Sequence, residues 1–121
     1  MIGRRFAEQF AREWIEAWNA HDLPRILELY EDDFEMSSPV IPQLAGEPSG
    51  KLRGKAAVGD YWTKALKAMP TLHFELRDLV IGVDSLVLVY EGHRGLSAEV
   101  IHFGPSGKVA RAFAHYAKPP G

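Results

Sequence analysis

The sequence predicts an α+β fold: a cone-shaped, curved antiparallel sheet wrapped around three helices from the N-terminal half, with a central cavity. Three observations predict it. Two amphipathic helices open the chain on either side of a short hinge, and their aromatic stripes need a broad apolar surface, which a sheet provides. From Leu72 onward the chain runs in short strand-like segments. Brief turns, Val-Asp-Ser, His-Arg-Gly and Gly-Pro-Ser-Gly, separate those segments, as in hairpins with antiparallel neighbours.

Phe6, Phe10, Trp14 and Trp18 recur every four residues, which puts them on one face of a helix over residues 4–20. Arg5, Glu8, Glu13 and Glu16 fall off that face. Asp22 is placed to accept from the free N–H groups of a second helix, residues 22–30, and Pro24 sits in its first turn, where a missing N–H costs little. Leu23, Ile26, Leu27 and Tyr30 form its stripe. Residues 33–38 read as a strand with Phe34, Met36 and Ser38 on one face. Pro39 and Pro42 end regular pairing, and residues 40–54 read as a long loop, either a pocket wall or a tolerated surface insertion. A third helix is expected from Gly54 to Lys67, with Val58, Tyr61, Trp62, Ala65 and Leu66 on its apolar face and Pro70 stopping it. Strands follow at 72–83, 85–94, 96–103 and 108–117, and the tail from Lys118 to Gly121 is expected to fray.

At 121 residues the chain fits one domain, 1–121, with a core that needs no staples. It has no cysteine, which excludes disulfides, thiol nucleophiles and thiolate metal sites. The net charge of −2 is mixed along the chain, so no nucleic-acid face stands out. No apolar run approaches the roughly 20 residues that span a bilayer. The N-terminus lacks the apolar core of a signal peptide. A cytoplasmic protein without nucleic-acid or membrane partners is expected.

Asn19-x-x-Asp22, Tyr30-x-x-Asp33 and Pro39 follow one another at set spacing. The stretch Leu52 to Trp62, then His102-Phe103 and Gly107-Lys108-Val109, continue the pattern. In these residues the chain resembles the nuclear transport factor 2-like superfamily, in its SnoaL-like and ketosteroid isomerase-like branch, from Phe6 to Tyr116. The resemblance implies the cone fold and a pocket for a small hydrophobic ligand such as a polyketide, steroid or terpene-like molecule. It also implies cofactor-free proton transfer in enzymatic members. The isomerase chemistry uses an Asp base with a Tyr and a neutral Asp at the oxyanion. Those positions fall on Ser38, Trp14 and Ile101, so steroid isomerisation by that set is not expected.

Strand alternation then selects the residues that face the cavity: Met36, Ser38 and Val40; Leu88 and Tyr90; Glu99, Ile101 and Phe103; and Tyr116. Trp14, Trp18, Tyr30, Tyr61 and Trp62 join them from the helices. Glu99, Ser38 and Tyr61 are the candidate catalytic residues. Glu99 is the one inward carboxylate. Desolvated by aromatics it would titrate high and serve as acid or base; at a wet rim, or paired with Arg94, it would do neither. The tryptophans are equally readable as core, and the tyrosines as rim anchors. His21, His73, His93, His102 and His115 lack the helical spacing of zinc ligands, and no metal or cofactor is expected. His102 and His115 are possible neighbours on the outer face. Gly50 to Lys55 lacks P-loop spacing. Apolar residues on both sheet faces point to a homodimer through the sheet. Two functions stay open: an isomerase-, cyclase- or lyase-type enzyme, or a non-catalytic ligand-binding or dimerisation domain that has lost the isomerase groups.

Overall fold

The computed structural model describes residues 1–120; Gly121, the end of the expected frayed tail, lies outside the described residues. Helix α1 spans Arg4–Asn19 and buries Phe10, Trp14 and Trp18 with three alanines along one stripe. Its end is tied to the far side of the fold. The Asn19 side chain donates to the Phe74 carbonyl at 3.0 Å and accepts from the Phe74 N–H at 2.7 Å. His21 adopts a left-handed φ of 55°, and its ring Nε2 lies 2.9 Å from the Leu72 carbonyl. Asp22 caps α2, Leu23–Leu27, accepting from the Arg25 N–H at 3.2 Å. The Asn19-x-x-Asp22 motif therefore pins one segment while starting another.

Helix α2 stops earlier than the apolar spacing predicts. The Leu29 carbonyl accepts from the Val109 N–H at 3.0 Å, and Tyr30 pairs with Val109, so sheet pairing claims the residues that helix periodicity would also allow. Strand β1 is accordingly Tyr30–Ser37. The expected loop holds two small elements. These are α3, Ile41–Ala45, with Pro42 in its first turn, and β2, Lys51–Arg53, antiparallel to β1. Helix α4, Lys55–Ala68, starts from Gly54 at a φ of 90°. Then come β3, Glu75–Ile81, and β4, Ser85–Gly92. The last two strands are β5, Gly95–Phe103, and β6, Val109–Tyr116.

The six strands form one sheet in the order β2-β1-β6-β5-β4-β3. One pair corrects the expectation of a wholly antiparallel sheet: β1 runs parallel to β6. The hairpin rule that set the other directions needs a short connection, and these two strands are joined by most of the chain. Register shifts in β1, β3 and β6 mark the bulges that curve the sheet. The concave face carries Leu86, Leu88 and Tyr90 from β4, Glu99 and Ile101 from β5, and Ala112 and Ala114 from β6, all buried against α1 and α4. No helix among the described residues is long and apolar enough to cross a membrane.

Candidate functional site

The concave face is not filled uniformly. At its open end, between α1, α4 and the β4–β5 hairpin, lies a cavity of about 60 Å³. That is room for several waters or a small ligand. Trp14 and Trp18 of α1 and Tyr61, Trp62 and Ala65 of α4 form one side. Met36, Val40, Met69, Leu72 and Phe74 add apolar surface. The sheet contributes Tyr90 and Gly92, then Ser97 and Glu99, then Tyr116, while His93 and Arg94 of the hairpin turn close the rim. Gly92 is closely packed: a Cβ there would lie 3.0 Å from the Phe74 ring and 3.2 Å from that of Tyr90.

The polar groups converge here. Among the described residues only Ser38, Ser97 and Glu99 are buried polar or charged residues of non-aromatic type. Ser97 and Glu99 line the cavity, and Ser38 accepts from the hydroxyl of Tyr61, a lining residue, at 3.2 Å. In register, Ser97 sits between Tyr90 and Tyr116, and Glu99 between Leu88 and Ala114. Small neighbours on β6 leave the Glu99 side chain space toward the cavity.

Glu99 is 4% exposed. Its one hydrogen-bond partner is the Tyr90 hydroxyl, which donates to Oε1 at a long 3.5 Å. Burial therefore dominates and pushes the carboxyl up to about 8, with the Tyr90 bond pulling weakly the other way. Of the environments weighed for Glu99, the wet rim and the ion pair with Arg94 do not occur: the carboxyl is buried, and no ion pair joins it to Arg94. The tyrosine hydroxyls of Tyr61, Tyr90 and Tyr116 are all raised, first by burial and then by the Glu99 charge in the last two, so they stay protonated donors.

Several sequence-selected residues lie elsewhere. The Trp14 indole N–H donates to the Tyr30 hydroxyl at 3.0 Å, which uses that donor inside the core. Tyr30 is fully buried behind the cavity and does not line it; nor do Leu88 and Ile101, which pack deeper. Phe103 keeps the parity of Glu99 and Ile101 but lies at the closed end, edge-on to Phe6 and Phe10, each at 5.0 Å. His102 and His115 do not meet: their cross-strand partners are Arg111 and Ala98. No three His, Asp or Glu side chains converge on a metal-sized site among the described residues. Conversely, Ser97, Phe74, His93 and Arg94 line the cavity without having been selected. Ser97 shares the parity of Glu99 and was within reach of alternation. Phe74 enters from irregular chain that Asn19 and His21 fix from the end of α1.

A cone of this topology with a cavity at its open end defines the nuclear transport factor 2-like class, SnoaL-like branch. Residues 11–117 match the family model described as SnoaL-like domain, and the chain belongs to that family. The structure is similar to that of a SnoaL-like protein of unknown function from Burkholderia thailandensis, at 58% identity, a TM-score of 0.92 and coverage of 97% of this chain and 98% of that one. It shares its fold with an NTF2-like protein of unknown function from Burkholderia pseudomallei, at 18% identity, a TM-score of 0.70 and coverage of 92% and 90%. It also shares its fold with the epoxide hydrolase/cyclase-like enzyme SalBIII of pyran ring formation in polyether salinomycin, at 16% identity, a TM-score of 0.75 and coverage of 97% and 95%. No curated protein matches it in sequence.

Proposed function

We propose that the chain works as one cavity-bearing domain of the cytoplasm that binds a small, largely apolar molecule and moves a proton on it with Glu99, without a cofactor. The observation that carries this reading is the Glu99 carboxyl itself. It is buried among aromatic rings, lines the cavity and has one long hydrogen bond. A carboxyl kept this way weakens the fold above its ordinary titration range, and a site that bears such a cost is where function is expected. Near neutral pH most Glu99 carboxyls hold their proton and can donate it to a carbonyl or epoxide oxygen. The ionised fraction, growing through about pH 8, can take a proton from carbon. Tyr90 and Tyr61 supply further O–H groups to steady developing negative charge. Ser38, bound to the Tyr61 hydroxyl and accepting from the Val40 N–H at 3.1 Å, positions that tyrosine. SalBIII, an epoxide hydrolase/cyclase-like enzyme on the same fold, makes ring-forming chemistry a reasonable instance of the class.

The test is solvent deuterium exchange into phenylacetone, a small enolisable ketone, followed by NMR. Exchange should exceed the buffer rate, rise through about pH 8, and fall by about two orders of magnitude or more in Glu99→Gln. Exchange indifferent to that substitution overturns the proton-transfer role and leaves the alternative, a binding domain.

The outer sheet face supports a homodimer in the same proposal. Val80, Val87, Val100 and Phe113 stand in register across four strands, and Val80 is 51% exposed. Sedimentation at micromolar concentration should give twice the 13.5 kDa chain mass, and Val87→Glu should halve it. A wild-type monomer sinks the dimer.

A further inference from the structure

The hairpin turn that rims the cavity adds a charge to it. Gly92 pairs with Gly95, and His93 and Arg94 form the two-residue turn between them. Arg94 lines the cavity on one side and, with His93 and Lys118, a depression outside it on the other. Its guanidinium lies 5.8 Å over the ring of Tyr116, itself a lining residue. Among the described residues no carboxylate comes within ion-pair distance of it. Its charge reaches inside: it works against burial at the hydroxyls of both Tyr61 and Tyr116.

One more donor lacks a partner. The Trp18 indole N–H is buried and makes no hydrogen bond, and its ring lines the cavity. The charge that this arrangement leaves open to a carboxylate or other anion is the Arg94 guanidinium. An apolar body fits against Trp14, Trp62 and Phe74, and a negative head fits under Arg94. A cation finds nothing there but a carboxyl that is costly to ionise.

Resting on the cavity reading above, we infer that the ligand is a small amphipathic anion, an apolar body bearing a carboxylate, whose charge pairs with Arg94 at the rim of the cavity. The selection is by charge pairing and bidentate hydrogen bonding, for which a planar guanidinium is suited. Arg94 is a binding residue in this scheme, and no covalent step is required of it.

All three tryptophans of the chain line the cavity, so its occupancy is readable as fluorescence. Phenylacetate and phenylacetamide have the same shape and differ in charge. At pH 7 phenylacetate should bind about tenfold tighter, and added salt should erode that margin. Arg94→Gln should remove the margin while leaving phenylacetamide within about twofold, and Arg94→Lys should keep part of it. Equal binding of acid and amide by the wild type overturns the inference, as does an Arg94→Gln that weakens both alike. If phenylacetone perturbs the tryptophans and phenylacetate does not, the anion preference falls and the cavity reading stands. If none of the three does, both fall.

Discussion

Glu99 and Ile101 sit two residues apart on the same face of β5, both buried, in opposite surroundings. Ile101 pairs with Leu86 and Ala112, all fully or nearly fully enclosed, and does not line the cavity. Glu99 pairs with Leu88 and Ala114 at the cavity. The closed end of the cone is an ordinary dry core, continued by Phe6, Phe10 and Phe103 in edge-to-face contact. The open end has equally large aromatics but arranges them around space and a carboxyl. The difference lies in what covers the sheet. Over the closed end the first half of α1 sets Phe6 and Phe10 on Phe103; at the open end Trp14 and Trp18 of α1, Trp62 of α4, the Asn19-anchored Phe74 segment and the β4–β5 turn surround a space that they do not fill. One face of one sheet thus carries an enclosed apolar core at one end and a cavity with a buried carboxyl at the other.

The sharpest way to break this comparison is to move the carboxyl. Ile101→Asp places an acid where the isomerase branch carries one but where this chain offers no donor. Stability at pH 7 should fall by roughly 4 kcal/mol or more, the cost of an unpaired charge in a dry core. Urea unfolding at pH 7 and pH 4 measures it, with a smaller loss at pH 4, where the acid is neutral. A loss under about 1 kcal/mol would mean that water or a polar partner reaches the closed end.

Removing the charge from the open end should do the reverse. Below pH 4.5 Glu99 is protonated in both the folded and unfolded chain and contributes nothing. As pH rises past 4.5 the unfolded chain ionises, while the folded one holds its proton up to about 8. Stability is therefore lost through that window and levels off above it. By pH 7 the loss is roughly 3 kcal/mol at 1.36 kcal/mol per pH unit. Glu99→Gln should match the wild type near pH 4 and exceed it at pH 8. Parallel pH profiles for the two proteins would show that Glu99 ionises as freely when folded as when unfolded.

Much of this contrast was legible before the fold was. Period-four aromatics gave α1, and period-two alternation on β4, β5 and β6 selected Tyr90, Glu99 and Tyr116 as inward. Those signals are local. What escaped was set by distant partners. Tyr30 satisfies helix and strand patterns equally, and its pairing with Val109 decided between them. The parallel β1–β6 pairing has no connecting turn to announce it. Depth along a strand is invisible to alternation, which gave Glu99 and Ile101 the same status. Arg94 was read only as a partner for Glu99; its place at the rim follows from the hairpin folding over the mouth.

The gap between the two ends depends on how the Phe74 segment is held. Asn19→Ala removes both of its hydrogen bonds to the Phe74 backbone, and these are the two that no strand replaces. A loss of about 2 kcal/mol is expected, with the unpaired backbone groups part of it. The effect should be larger on the open end than on global stability. Amide exchange at Phe74 should rise well beyond that in β5, and uniform acceleration across both ends would show that Asn19 merely supports the whole helix.

The smallest change tests the open end alone. Tyr61→Phe deletes one oxygen, which donates to Ser38 at 3.2 Å. Ser38 keeps the Val40 N–H as a donor to its oxygen, so little is left unsatisfied, and the cost should be about 1 kcal/mol. The ring stays, the cavity keeps its apolar wall, and the closed end should not register the change. Phenylacetone exchange should slow at unchanged pH dependence, because the hydroxyl steadies charge while Glu99 sets the titration. If instead the pH profile shifts with Tyr61→Phe, the hydroxyl and the carboxyl titrate as one unit, and the open end is a coupled network in place of a single acid in an aromatic box.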